Sequence, residues 1–82
     1  MGRTRRRKPK RLARKLKAIR TKLGASQPEM AKLLELKVSY TVVSGYELGT
    51  NEPDLITILR YAKLARVSTD VLIDDELNLP KR

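Results

Sequence analysis

The side chains best suited to binding chemistry lie between residues 39 and 48, where apolar and polar residues fall on opposite sides of a predicted helix. Val43 and Tyr46 are three residues apart and therefore share one helical face. The other side carries small or hydrogen-bonding residues: Ser39, Tyr40, Thr41, Ser44 and Gly45. Hydroxyl groups both donate and accept hydrogen bonds. The pattern predicts a short helix that is anchored by its apolar face and can bind a partner along its outward edge.

The same chain offers little for catalysis. It contains no cysteine and no histidine, which excludes a thiol nucleophile, a disulfide framework and the usual zinc ligand sets. Its acidic residues are scattered over helix ends and the C-terminal tail, so they assemble no general base or metal cluster. We therefore expect a binding protein and not an enzyme, with no catalytic residue, no cofactor and no metal.

The net charge of +10 is concentrated at the start of the chain. Residues 1–24 hold twelve of the nineteen Lys and Arg residues and no acid, while the remaining seven face nine acids. A near-neutral body with a basic front is typical of nucleic-acid binding. A solubilising tail, or one that binds anionic lipid, is the alternative interpretation. No apolar run approaches 18 residues, so no membrane span is expected.

Two helices are predicted before the polar segment. The first covers residues 10–23 and ends at Gly24, with Pro9 in its first turn, because its apolar residues are four, three and four apart: Leu12, Leu16, Ile19 and Leu23. Basic residues are expected to cover its outside: Arg11, Arg14, Lys15, Lys17 and Lys22. The second covers 27–35, where Ser26 and Glu29 form a capping-box pattern. The connection that follows contains no glycine.

Two further helices are predicted after it. Asp54 is expected to cap the fourth helix, and Ser68 or Thr69 to start a short fifth one. The helical spacing predicts this core: Leu16, Ile19, Leu23, Met30, Ala31, Leu34, Val43, Tyr46, Leu55, Ile58, Leu59, Ala62 and Leu72. The expected fold is all-α, a small bundle of four to five short helices containing a helix-turn-helix. We divide the chain into a disordered basic arm (1–9), the helix-turn-helix domain (10–73) and a tail (74–82).

Three segments carry a resemblance to a known family: LKAIRTKLGASQPEMAKLL, VSYTVVSGYELGTNEP and DLITILRYAKLARVSTDVL, within residues 16–72. They are similar to the lambda-repressor/Cro-type (XRE-like) helix-turn-helix domains, which bind double-stranded DNA. Two departures stand out. Glu35, Leu36 and Lys37 lengthen the turn where a single glycine is common in the family, and Arg66 stands where a helix-ending glycine is common.

The resemblance implies roles for individual residues. Residues of the recognition helix, about 39–48, contact bases in the major groove: Ser39, Tyr40, Thr41, Ser44 and Gly45. Phosphate contacts fall on Gln27, Thr50 and Asn51, and Lys37 in the lengthened turn is a further predicted phosphate contact. Arg20 and Glu47 match a structural pair that ties the first helix to the third. Outside the resemblance, basic residues of the arm are expected to contact the DNA backbone or minor groove: Arg3, Arg5, Arg6, Arg7 and Lys8.

These observations predict a sequence-specific transcriptional regulator of prokaryotic or phage type that binds double-stranded DNA as a homodimer. Residues 72–79 are the candidate dimer surface. The expected location is the cytoplasm, with the nucleoid, and no membrane. The alternative is an antitoxin-like module that binds a protein partner and uses its helix-turn-helix for autoregulation. RNA binding is a third interpretation, disfavoured because three tyrosines are the only aromatic residues available for base stacking.

Overall fold

The computed structural model describes residues 9–80, which form five helices and no strand. The helices are α1 (Leu12–Leu23), α2 (Gln27–Leu33), α3 (Thr41–Leu48), α4 (Leu55–Ala65) and α5 (Thr69–Ile73). The all-α prediction is confirmed. Within this range no helix is long and apolar enough to cross a membrane.

The predicted helix starts are partly confirmed. Ser26 Oγ accepts from the Glu29 amide at 3.2 Å while Glu29 Oε1 accepts from the Ser26 amide at 2.7 Å, so the capping box forms. Asp54 caps α4 by accepting from the Thr57 amide at 2.8 Å. By contrast, α1 begins at Leu12 and not at residue 10. The amides of Lys10 and Arg11, which precede the helix, donate to the Asp75 carboxylate.

Two helices end at non-glycine residues in the left-handed conformation. Glu35, with φ of 57°, follows α2, which therefore ends at Leu33 and not at residue 35. Arg66, with φ of 60°, closes α4. The resemblance leads us to expect a glycine at position 66 and within the 35–37 turn, and glycine adopts this conformation at lower cost. The backbone geometry of a glycine is thus retained without the glycine.

Ten of the thirteen predicted core residues are buried, and three are wrong. Leu23 is 43% exposed, Leu55 81% and Leu59 39%. Leu23 and Leu55 are terminal residues of their helices, where no neighbouring turn covers them. The core gains Leu12 from the α1 stripe and Tyr61 from α4, and it includes all of the following: Leu12, Leu16, Ile19, Met30, Ala31, Leu34, Val43, Tyr46, Ile58, Tyr61, Ala62 and Leu72.

Lys15 was predicted to cover the outside of α1 but is only 5% exposed. Its ammonium group donates to the carbonyl oxygens of Val71 and Asp74, at 2.7 and 2.9 Å. These carbonyls lie in the last turn of α5 and just beyond it, where helix carbonyls lack intrahelical partners. Burial lowers the pKa of Lys15, with Arg11 adding to the effect. Lys15 therefore fastens α5 to α1.

Candidate nucleic-acid interface

The outward edge of α3 is open to solvent. Val43 and Tyr46 are buried in the core, whereas Thr41 is exposed, Ser44 is partly exposed and Tyr40 is 48% exposed. Thr41 and Ser44 are three residues apart and therefore lie on one helical face. None of the described residues covers Thr41. The hydroxyls along this edge are available to a partner.

The start of α3 has no side-chain cap at its N-cap position. The N-cap is Tyr40, whose side chain makes no capping hydrogen bond. Ser39 Oγ nevertheless accepts from the Thr41 amide at 3.3 Å and lies 3.0 Å from Thr41 Oγ1. The hydroxyl groups of Ser39 and Thr41 are therefore within hydrogen-bonding distance of each other at the exposed beginning of the helix.

Gly45, which is predicted to contact a base, lies against the loop that follows α3. It is buried, and a Cβ built on it would lie 2.2 Å from Asn51 Nδ2 and 2.8 Å from Asn51 Cγ. The glycine therefore makes room for the Asn51 side chain. The loop is fixed here too, since the amides of Thr50 and Asn51 both donate to the Gly45 carbonyl, at 3.0 and 3.1 Å.

A network of polar side chains joins the first three helices. Arg20 Nε and Nη2 donate to the two Glu47 carboxylate oxygens at 2.6 and 3.1 Å, and Arg20 Nη1 donates to the Ala25 carbonyl at 3.0 Å. Hydrogen bonding to Glu47 raises the pKa of Arg20. Gln27, predicted to contact phosphate, directs its amide to Glu47 Oε1 at 3.3 Å. The beginning of α2 is thereby fixed relative to the end of α3.

The lengthened turn between α2 and α3 is held by a residue that the sequence did not single out. Arg60 of α4 donates from Nη1 to the Leu34 carbonyl at 3.0 Å, and its Nη2 lies 3.6 Å from a Glu35 carboxylate oxygen. Lys37, the predicted phosphate contact in this turn, is exposed. Arg60 thus supports the turn in place of a compact glycine connection.

The arm residues Arg3, Arg5, Arg6, Arg7 and Lys8 lie outside the described residues. Their point of attachment is described, because the C-terminal segment clamps the residues that follow them. The Asp75 carboxylate accepts from the amides of Lys10 and Arg11 at 2.9 and 3.0 Å, while the Arg11 guanidinium donates to the Asp75 carbonyl at 2.7 Å and to the Asn78 side chain. The backbone hydrogen bonds lower the pKa of Asp75.

Sequence reasoning missed Arg60, Asp75 and the seating of Asn51 on Gly45. The first two act over long separations in the chain, and nothing in local spacing identifies such partners. Gly45 did carry a signal, since a glycine in the middle of a helix is unfavourable by about 1 kcal/mol relative to alanine and indicates a close approach. Among residues 9–80 no group of three His, Cys, Asp or Glu side chains could hold a metal ion.

Comparison with known proteins agrees with this geometry. A family model described as helix-turn-helix matches residues 16–72. The chain is 37% identical over 62 residues to the HTH-type transcriptional regulator ImmR of Bacillus subtilis (strain 168), a match covering 76% of this chain and 47% of that protein. It is 39% identical over 59 residues to YonR of the same strain, an SPbeta prophage-derived uncharacterized HTH-type transcriptional regulator, covering 72% and 53%.

This chain therefore spans about half the length of the curated relatives it matches. The matched region begins within α1 and ends within α5, and it contains both the α2–α3 unit and the Arg20–Glu47 pair. The chain belongs to the lambda-repressor/Cro-type (XRE-like) helix-turn-helix family.

Proposed function

We propose that this chain is a sequence-specific, double-stranded DNA-binding transcriptional regulator of prokaryotic or phage type. The observation that carries the proposal is the open edge of α3, where Thr41 and Ser44 face outward while Val43 and Tyr46 anchor the helix. The names of the two relatives, both regulators and one derived from a prophage, support it. Such a protein is expected to lie with the nucleoid.

In the proposed complex α3 enters the major groove, whose width accommodates an α-helix. Thr41 and Ser44 then hydrogen bond base edges, since serine and threonine hydroxyls pair with either donors or acceptors. Ser39 and Tyr40, at the beginning of the helix, reach adjacent bases. A recognition helix typically contacts bases with its N-terminal residues, which is where these hydroxyls are concentrated.

Phosphate contacts flank the helix in this proposal. One N–H of the Gln27 amide is directed to Glu47, and the same nitrogen carries a second N–H that can donate to a phosphate. Gln27 is the first residue of α2, and its own backbone amide, which has no acceptor within the helix, can donate to the same phosphate. Lys37 and Thr50 contact the backbone on either side of α3. The Asn51 side chain is given a different role below.

The basic residues 3–8 supply the charge for further DNA contacts. Arginine side chains bind favourably in a narrow minor groove, whose negative potential is enhanced. Because the residues that follow the arm are tied to Asp75, the arm starts from a defined point beside α1. We propose that it contacts the DNA backbone or minor groove next to the bound half-site.

We further propose that two copies bind together, reading half-sites about 34 Å apart. Residues 72–79, our first candidate for the dimer surface, are engaged within the chain: Leu72 is buried and Asp75 binds α1. The outer face of α4 is the better candidate, because Leu55 and Ile56 are exposed there beside Leu59.

A second copy suits this face because its ends carry opposite charges. Asp54 stands at the beginning of α4 and Lys63 near its end, so an antiparallel pair of α4 helices brings each acid near the partner's lysine. Burial of the exposed leucine and isoleucine side chains would supply the apolar contribution. A two-fold arrangement of this kind is the commonest form of soluble oligomer.

A titration with DNA tests the proposed function. Duplexes selected from a random pool and their scrambled versions are titrated at two salt concentrations. We expect tighter binding to the selected duplex at both, and a steep fall in affinity with salt as counterions are released. Equal affinity for selected and scrambled duplexes would leave only non-specific charge and would refute sequence-specific regulation.

A further inference from the structure

We propose that the Asn51 side chain contacts a DNA base and prefers adenine to the other three. It does so from the space that the missing side chain of Gly45 leaves on the surface of α3. The inference rests on the proposed function and changes the role of Asn51 from phosphate contact to specificity-determining residue. It begins from the close approach of these two residues: a Cβ at position 45 would lie 2.2, 2.8 and 3.2 Å from Asn51 Nδ2, Cγ and Cβ. The Asn51 amide thus occupies the space in which a side chain from position 45 would lie.

That space lies on the outward edge of α3. Gly45 follows Thr41 by four residues and therefore stands one turn above it on the same face. It also neighbours Ser44 directly. An amide seated over Gly45 therefore lies on the helical face that carries Thr41, although it comes from the following loop.

The position of Asn51 is fixed by the backbone. Its own amide and that of Thr50 donate to the Gly45 carbonyl, at 3.1 and 3.0 Å, and Gly49 turns the chain with φ of 82°. The loop is therefore attached to α3 at Asn51 itself and at the residue before it. A side chain held by rigid elements discriminates better than one on a mobile loop.

The Asn51 amide is also chemically available. The residue is exposed, and within residues 9–80 its side chain has no hydrogen-bond partner, in contrast to Gln27, whose amide binds Glu47. A side-chain amide carries two N–H donors and a carbonyl acceptor. Asparagine uses this pair for bidentate contact with adenine, accepting from N6 and donating to N7.

The test compares affinities for a selected duplex and for duplexes changed at one base pair at a time. The variants are Asn51→Ala and Asn51→Asp, with Ser68→Ala as control because that exposed side chain makes no capping hydrogen bond and has no part in the proposed DNA contacts. We expect Asn51→Ala to lose about tenfold discrimination or more at one A·T pair and to keep it elsewhere. Asn51→Asp should shift the preference at that pair towards cytosine, whose N4 donates to a carboxylate.

A uniform loss of affinity for every duplex, with a shallower salt dependence, would identify a phosphate contact and overturn the inference. Unchanged discrimination at all positions would overturn it as well. Both outcomes leave the wild-type preference intact and so are distinct from failure of the proposed function, in which the wild type itself shows no preference. Gly45→Ala, which must displace the amide, should reproduce the Asn51→Ala pattern, with thermal unfolding reporting whether the fold is retained.

Discussion

The Arg20 guanidinium and the Glu47 carboxylate face each other in parallel, with N–O distances of 2.6 and 3.1 Å, and the Glu47 side chain is only 4% exposed. Two parallel bonds fix orientation as well as distance. The pair joins α1 to the end of the helix that presents Thr41 and Ser44. Its first consequence is for stability, because a buried charge without its partner is costly.

We expect Arg20→Ala and Glu47→Ala each to lower the free energy of unfolding by about 3 kcal/mol, since each leaves one charge of a largely buried pair alone. The measurement is urea unfolding of both single variants and the double variant. The double variant should lose less than the sum of the two. Lys17→Ala, on the exposed side of α1, serves as control. Strictly additive effects would show that the two residues do not act as a pair.

Arg66, the left-handed residue at the end of α4, leads to a prediction of increased stability. Arg66→Gly should raise the free energy of unfolding by about 0.5–1 kcal/mol, because glycine adopts a positive φ without steric cost. Lys17→Gly, in the interior of α1, should lower it by about 1 kcal/mol. Thermal unfolding of the two variants beside the wild type measures both effects. A destabilised Arg66→Gly protein would show that the Arg66 side chain contributes more than its backbone strain costs.

The sequence predicts the local features of this fold but not the contacts that depend on its tertiary structure. Helical spacing, the Ser26–Glu29 capping box and the Asp54 cap are local, and each was found in the structure. Periodicity gives a residue's angular position on a helix but not what covers it. Leu55 has core spacing and yet stands at the first position of α4, where its side chain points back beyond the helix end. Tyr61, beside the predicted stripe, is fully buried.

In the candidate site, too, the sequence predicts which side chains face outward but not which distant residues meet. The outward orientation of Thr41 follows from the burial of Val43 and Tyr46, which the sequence pattern predicts. The contact of Asn51 with Gly45 depends on how the loop after α3 folds back, and the Arg60 contact with the turn joins residues 26 apart. Pairings of this kind arise from tertiary structure, and no spacing rule encodes them.

The clamp between Asp75 and the beginning of α1 predicts a dependence on pH. Its hydrogen bonds hold the pKa of Asp75 below the unfolded value, about 3.9. The folded state then binds fewer protons than the unfolded state in this range, so the stabilisation is present above about pH 4 and is lost as the pH falls through the folded pKa. We expect Asp75→Asn to lower stability at pH 7 and to flatten the acid limb of the stability curve.

Denaturant unfolding at pH values between 2 and 7 measures this effect. Glu76→Gln is the matched control, because it removes a charge one residue further along while its side chain makes no hydrogen bond to a described residue. Its acid limb should follow the wild type. An Asp75→Asn protein with the wild-type acid limb would show that the clamp does not contribute to folding.

The outer face of α4 predicts the state of association. Leu55→Lys should shift the protein towards monomer in analytical ultracentrifugation. At concentrations where the wild type is also monomeric, the thermal stability should be nearly unchanged, because Leu55 is exposed in a single copy. Binding to a two-half-site duplex should weaken, while binding to a single half-site should not. Ser68→Ala, an exposed N-cap without a capping hydrogen bond, is the control. Unchanged association in the Leu55→Lys protein would exclude this face as the dimer surface.

The most direct test of the central claim, that the open edge of α3 reads DNA sequence, is selection of duplexes from a random pool by the wild type, by a Thr41→Ala/Ser44→Ala variant and by Ser68→Ala. We predict that the wild type and Ser68→Ala enrich the same site, with two related halves. The double variant should fold normally and lose the preference at the pairs that Thr41 and Ser44 contact. Enrichment of an identical site by the double variant would contradict the account.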